Sequence, residues 1–342
     1  MKTNRKGVCY DVGREMMGEN WRPVFEPKIV HRELEIIKND LHCNSVRICG
    51  VDIDRLKSAA VDALNQGLDI WFLPELWDRS PEETCDYVVQ AAVAAEQIRQ
   101  QWGERLVFSV GSELTLFMQG ILKGKNIFER LGNPLTFTFN FLKIKLIGTY
   151  SKALNAFLTK TNKAVREVFH RKVAYAAVPL EAVDWGLFDF VSLDYYRGKV
   201  NRDSYGDWLK RYLTLGKPVV ISEVGLCIYQ GAEDKGGRGF MIVDPKNPKQ
   251  LKRNYVRDEG LQAHELTDML QVLDCAGVEG TFEFTFTSPN LPYNENPKND
   301  LAMASYSLVK SYAGNKHGAT YPEMTWEPKE SFRAVADYYA KH

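Results

Sequence analysis

Two glutamates, Glu113 and Glu223, each close a short apolar run: Leu106-Val-Phe-Ser-Val-Gly-Ser-Glu113 and Pro218-Val-Val-Ile-Ser-Glu223-Val-Gly225. Runs of this length and composition read as strands buried on both faces. A carboxyl group at the C-terminal end of a buried parallel strand faces a pocket rather than solvent. Two such groups on different strands of one barrel can divide the work of breaking a glycosidic bond. One attacks the anomeric carbon and the other protonates the leaving oxygen. That chemistry requires both strands to belong to the same barrel.

Strand and helix signals alternate along the chain. Eight strands are predicted: Gly7–Gly13, Asn44–Cys49, Leu68–Glu75, a fourth ending at Glu113, Lys172–Val178, Phe188–Tyr196, a seventh ending at Glu223, and Val278–Phe286. Between them, Pro27 to Leu41 carries Ile29, Leu34, Ile37 and Leu41 at helical spacing. Asp54 to Gln66 reads as a helix stopped by Gly67, and Trp208 to Leu215 as one stopped by Gly216. Ser80, Pro81 and Glu83 are the N-cap, N1 and N3 residues of a helix running to about Trp102. Further helices are expected before His170, from about Val256 to Ala276, and near Phe332 to Tyr339. Eight strands with intervening helices predict an α/β fold, a (β/α)₈ barrel, as one domain over residues 1–342. Its long loops follow strands 4 and 7. No Gly-x-Gly-x-x-Gly follows strand 1, which weighs against a dinucleotide fold.

The 342 residues carry 44 Lys+Arg against 44 Asp+Glu, so no basic excess calls for nucleic acid. The first residues, Met1-Lys-Thr-Asn-Arg-Lys6, contain no apolar signal segment. The stretch Leu135 to Gly148 is too short, and too charged at Lys143 and Lys145, to span a bilayer. The six cysteines include no Cys-x-x-Cys and read as free thiols in a cytoplasmic protein. The six histidines show no zinc spacing, so neither metal nor cofactor is expected. Oligomeric state is not written in the sequence.

At the strand ends the pocket side collects Asp11, Arg47, Glu75, Glu113, Asp194, Tyr195, Tyr196, Glu223 and Glu283. With these residues in place the chain resembles the retaining (β/α)₈ glycoside hydrolases called clan A. The resemblance implies that Glu113 of Gly111-Ser-Glu113 is the acid/base and Glu223 of Ile221-Ser-Glu223 the nucleophile. It implies that Arg47 of Asn44-Ser-Val-Arg47 holds the nucleophile, and that Tyr195 or Tyr196 bonds it. More narrowly, the chain is similar to a group of bacterial (β/α)₈ proteins, some labelled abortive-infection proteins. The similar segments are Leu41-His-Cys-Asn-Ser-Val-Arg47, Gly111-Ser-Glu-Leu-Thr-Leu-Phe117, Tyr255-Val-Arg-Asp-Glu259 and Trp326-Glu-Pro-Lys329.

The chain departs from the superfamily pattern twice. Ser112 stands where the superfamily places a sugar-binding Asn, and strand 8 reads Phe282-Glu-Phe-Thr-Phe286 where a Trp platform is usual. The partner implied is a small or oligosaccharide glycoside, with Trp77, Tyr195, Tyr196 and Phe286 as stacking surfaces. Two rival readings exist. One is a metal-dependent barrel hydrolase or isomerase using Asp11, Glu75, Asp194 and Glu283. The other is a non-catalytic binding or phage-defence protein on a glycosidase-like barrel. The enzymatic reading expects a carboxyl separation near ~5 Å for Glu113 and Glu223, and contact of Arg47 with Glu223. It also expects a glycine-rich lid from Leu226 to about Gln250, with Tyr229 and Phe240 covering a ligand.

Overall fold

The computed structural model describes residues 4–132 and 142–342. Eight parallel strands close a barrel: β1 (Arg5–Asp11), β2 (Ser45–Gly50), β3 (Asp69–Pro74), β4 (Leu106–Ser112), β5 (Val173–Ala177), β6 (Val191–Asp194), β7 (Val219–Val224) and β8 (Gly280–Glu283). Each pairs with its neighbours in chain order, and β8 returns to β1. Cys9, Arg47 and Trp71 lie level on adjacent strands. Cys9 and Trp71 join Val107, Ala174, Val220 and Phe282 in an inward-facing cluster. This layer plugs the barrel, as in other barrels of eight strands, and leaves the C-terminal rim as the place for a ligand.

The helices start where the sequence can satisfy their free backbone N–H groups. α1 (Pro27–Asn39) begins on a proline, and it buries Val30, Leu34, Ile36 and Ile37 on one face. Each such aliphatic contributes about 1.5–3 kcal/mol when fully buried. Asp52 caps α2 (Ile53–Asn65) by accepting from the amides of Asp54 and Arg55. Ser80 and Glu83 close the reciprocal capping box of α3 (Pro81–Trp102). α4 (Leu142–Val168) precedes β5, and α5 (Glu259–Ala276), capped by Asp258, precedes β8. α6 (Glu330–Lys341) packs beside α5 at the end of the chain.

Two of the seven connections between barrel strands lack a full helix. β5 reaches β6 through one 3₁₀ turn at Trp185–Leu187, and β6 is followed by the short helix Lys210–Leu213. No helix among the described residues is long and apolar enough to cross a membrane. The stretch 135–148 lies partly outside the described residues. All six cysteines are free and five are buried.

The segment after β7 differs from the mobile lid expected of its glycines. It builds its own small core from Leu226, Ile228, Ile242, Leu251 and Met303, with a hairpin of Val243–Asp244 and Asn247–Leu251. Tyr229 is buried there and donates to the carbonyl of Gly239 at 3.0 Å, so it covers no ligand. Phe240 packs against the same core. Two of the glycines serve close approach. A Cβ on Gly239 would lie 2.8 Å from Cys227 Sγ, and one on Gly237 would lie 3.3 Å from the Tyr196 ring.

Candidate active site

β4 and β7 each carry the dipeptide Ser-Glu to the C-terminal rim, and at both the strand ladder slips. Ser109 pairs with Ala174 but Ser112 with Ala176, so three residues on β4 span two on β5. Ile221 pairs with Leu193 and Glu223 with Asp194, again one residue extra on β7. A bulge re-aims side chains that strict alternation would send to opposite faces. Ser112 and Glu113 therefore both reach the pocket, as do Ser222 and Glu223. Glu113 itself has φ +49°, a left-handed conformation that few non-glycine residues adopt. Its neighbours fix that turn. The amide of Leu114 donates to Tyr175 Oη at 2.9 Å, and that of Thr115 donates to Glu181 Oε1 at 2.9 Å. Tyr175 in turn donates to Glu181 at 3.0 Å.

Asp194, the last residue of β6, lies between the two dipeptides. Its Oδ2 accepts from Ser112 Oγ and its Oδ1 from Ser222 Oγ, both at 2.7 Å. One carboxyl oxygen from each of Glu113, Asp194 and Glu223 lies within 4.8 Å of the other two. Arg47 Nη1 donates to Glu223 Oε1 at 2.5 Å, and Tyr196 Oη donates to Glu223 Oε2 at 2.7 Å. Arg47 Nη2 is 3.9 Å from Asp194 Oδ1. Among the described residues, the Glu113 carboxyl receives no such donor.

Burial and neighbouring charge act on the acids of this cluster. Burial first, then the charges of Asp194 and Glu223, push the Glu113 carboxyl well above its usual range. Burial, then the charge of Glu223, raises Asp194 to about 7 against the pull of Arg47 and the two serines. Burial likewise raises Glu181 to about 7, against the hydrogen bonds that it accepts. Three carboxylates this close are also a ligand set for a divalent cation. Arg47 and Arg14 already bring two fixed positive charges to that point, Arg14 Nη2 lying 3.5 Å from Glu223 Oε1.

Arg14 follows β1 by three residues and so is absent from the set of strand-end residues. It is 3% exposed, and its Nε donates to Glu75 Oε2. Asp11 Oδ1 accepts from the amides of Gly13 and Arg14 at 2.7 and 2.8 Å, so Asp11 fixes the turn that delivers this guanidinium. Trp77 stacks on Phe117 at 4.3 Å and meets Trp21 edge-on at 5.3 Å, forming an aromatic wall. Phe284 stands opposite it, its ring 5.1 Å from the Arg14 guanidinium carbon, which is 5.9 Å from the Trp77 ring. A charge placed Asp-x-x-Arg across a strand end was the available signal for Arg14.

Three expected residues are elsewhere. Tyr195 points away from the pocket between its two inward neighbours. Its ring stacks on Tyr205 at 4.4 Å, and its hydroxyl donates to the Tyr205 carbonyl at 3.1 Å. Glu283 follows the inward-facing Phe282, so alternation turns it outward. There it is fully buried, with neither oxygen hydrogen-bonded among the described residues. Phe286 is buried in the outer core against Tyr10 and Trp326. Phe284 takes the pocket-facing place expected of Phe286. Ser112 is at the site, but its hydroxyl is committed to Asp194.

The fold is shared with solved glycoside hydrolases. A β-1,4-mannanase of family GH113 matches with TM-score 0.64 at 14% identity, over 99% of this chain and 100% of that one. The GH113 β-mannanase of Alicyclobacillus acidocaldarius, in complex with ManMIm, gives 0.60 at 15% identity over 99% and 98%. A β-glucuronidase of Bacteroides uniformis, covalently bound to cyclophellitol-6-carboxylate aziridine, gives 0.54 at 15% over 91% and 33%. No family model and no curated protein sequence matches the chain.

Proposed function

We propose that the protein is a retaining glycoside hydrolase, with Glu223 as nucleophile and Glu113 as acid/base. The observation that carries this reading is the pair's asymmetry at short range: their oxygens lie within 4.8 Å, and only Glu223 is held by fixed donors. Retaining pairs stand about 5–5.5 Å apart, whereas inverting pairs leave about 6.5–9.5 Å for a water. Arg47 and Tyr196 hold the Glu223 carboxyl group in place, aimed at the anomeric carbon. Glu113, kept protonated by burial and neighbouring charge, delivers its proton to the leaving oxygen as Glu223 bonds the carbon. Glu113, now ionised, takes a proton from water, whose oxygen attacks the same carbon and releases Glu223. The sharing of fold with whole-length β-mannanases makes β-mannosides the first substrates to try.

The test is covalent trapping. A panel of 2-deoxy-2-fluoro glycosyl fluorides and cyclophellitol aziridines, in manno, gluco, galacto and glucurono forms, is incubated with the protein and followed by intact mass. One adduct that maps to Glu223 is expected. Glu223→Gln should abolish it, and Glu113→Gln should still label with the fluoride leaving group. An adduct on another residue, or equal labelling of Glu223→Gln, would refute the assignment. The close carboxylate trio supports a second reading, a metal-dependent hydrolase. Turnover that is lost with chelator and restored by Mg²⁺ or Mn²⁺ would favour it.

A further inference from the structure

We propose that Arg14 is a substrate-binding residue whose Nη2 donates a hydrogen bond to a ring hydroxyl beside the reacting carbon, O2 or O3 of the bound sugar. This rests on the glycosidase reading above. The side chain is 3% exposed, yet Nη2 has no hydrogen-bond partner among the described residues. Nε is used by Glu75, which orients the guanidinium. A buried donor left empty is a standing cost, and native structures rarely keep one without a use.

The direction of the free group names its ligand. Nη2 lies 3.5 Å from Glu223 Oε1, whose own bonds are already made by Arg47. A nucleophile in attack position is about 3–3.5 Å from the anomeric carbon. A sugar seated against Glu223 would bring the atoms one or two bonds from that carbon next to this donor, and O2 and O3 are the oxygens there. Ser112 cannot donate to the same oxygen, since its proton goes to Asp194. Phe284 and Trp77 flank the guanidinium with apolar faces, which keep water from competing. Arginine donates only, so the sugar must present an acceptor oxygen at that position.

The experiment uses 2,4-dinitrophenyl β-D-mannoside and β-D-glucoside with their 2-deoxy and 3-deoxy analogues, on wild type, Arg14→Lys and Glu75→Gln. Both variants should cut kcat/KM on the parent glycoside about 10–100-fold, the range of a charged hydrogen bond. On the one analogue lacking the partner oxygen the loss should shrink to about threefold or less, and on the other analogue it should persist. That pattern tells O2 from O3. An equal loss on all three sugars, with unchanged melting temperature and circular dichroism, would mean that Arg14 only supports the site and would overturn the proposal. If wild type turns over none of them, the glycosidase reading is what fails. Arg14 is then judged by ligand-observed NMR with methyl β-D-mannoside and its deoxy analogues. Arg14-dependent binding lost with one hydroxyl sustains the proposal, and its absence overturns it.

Discussion

Asp194→Asn should move the alkaline limb of the pH–activity profile toward acid. Asp194 contributes a negative charge within 4.8 Å of the Glu113 carboxyl, and asparagine keeps its size while removing that charge. At an effective dielectric near 20, two unit charges at 4.8 Å interact by about 3.5 kcal/mol, or about 2.5 pKa units. Two facts reduce this. Burial and the Glu223 charge push the Asp194 carboxyl up to about 7, so its negative charge is reduced near neutral pH. Glu113 is half-buried rather than sealed off, so solvent screens it in part. A shift of about 1–2 units is therefore expected. The sign follows from the role. Glu113 must hold a proton for the first step, a nearby negative charge helps it to do so, and removing that charge lets the proton leave at lower pH. The assay is kcat/KM against pH with an aryl glycoside of poor leaving group. Carbon-13 titration of the glutamate carboxyls, assigned with Glu113→Gln, gives the same value without substrate. A limb that stays within ~0.3 units of wild type, or moves upward, would refute the electrostatic account of Glu113.

Tyr196→Phe removes the 2.7 Å bond to Glu223 Oε2 and leaves the ring in place. Activity should fall about 10–100-fold with little change in melting temperature, the value of a hydrogen bond to a charged group. Arg47→Lys should cost more, because lysine cannot reach Glu223 and Asp194 with two separate nitrogens; recovery of wild-type kcat in that variant would count against the role of Arg47. Among the described residues Glu283 is buried without a hydrogen-bond partner, and burial pushes its carboxyl well above the usual range. Below the unfolded value, near ~4.3, both states hold the proton and ionisation adds no cost; above it the unfolded chain ionises and the folded one resists, so stability falls by about 1.4 kcal/mol per pH unit. Glu283→Gln should remove that slope in urea melts between pH 5 and 8, and an unchanged slope would contradict the placement.

Local sequence patterns determined the barrel and its two glutamates. Short apolar runs bounded by glycine, proline and capping residues specify buried strands and helix starts with neighbours only a few positions away, as Ser80 to Glu83 shows. A strand's end also fixes which residues reach the rim, and so Glu113 and Glu223 were legible; Arg47 lies inside β2, level with Cys9 and Trp71, and reaches Glu223 through the length of its side chain. Which side of a strand each residue faces was decided only in three dimensions. Tyr195 and Tyr196 are adjacent and alike in sequence, and alternation from Asp194 alone sends one to Glu223 and the other to Tyr205. The slips at Ser112 and Ser222 depend on the register with β5 and β6, whose own positions follow from the closure of the barrel. No local pattern states that two serines from different strands will grip both oxygens of Asp194, or that Arg14 will be pinned by Glu75 from β3. Those contacts join residues more than 25 positions apart, so they exist only once packing has set the strands side by side.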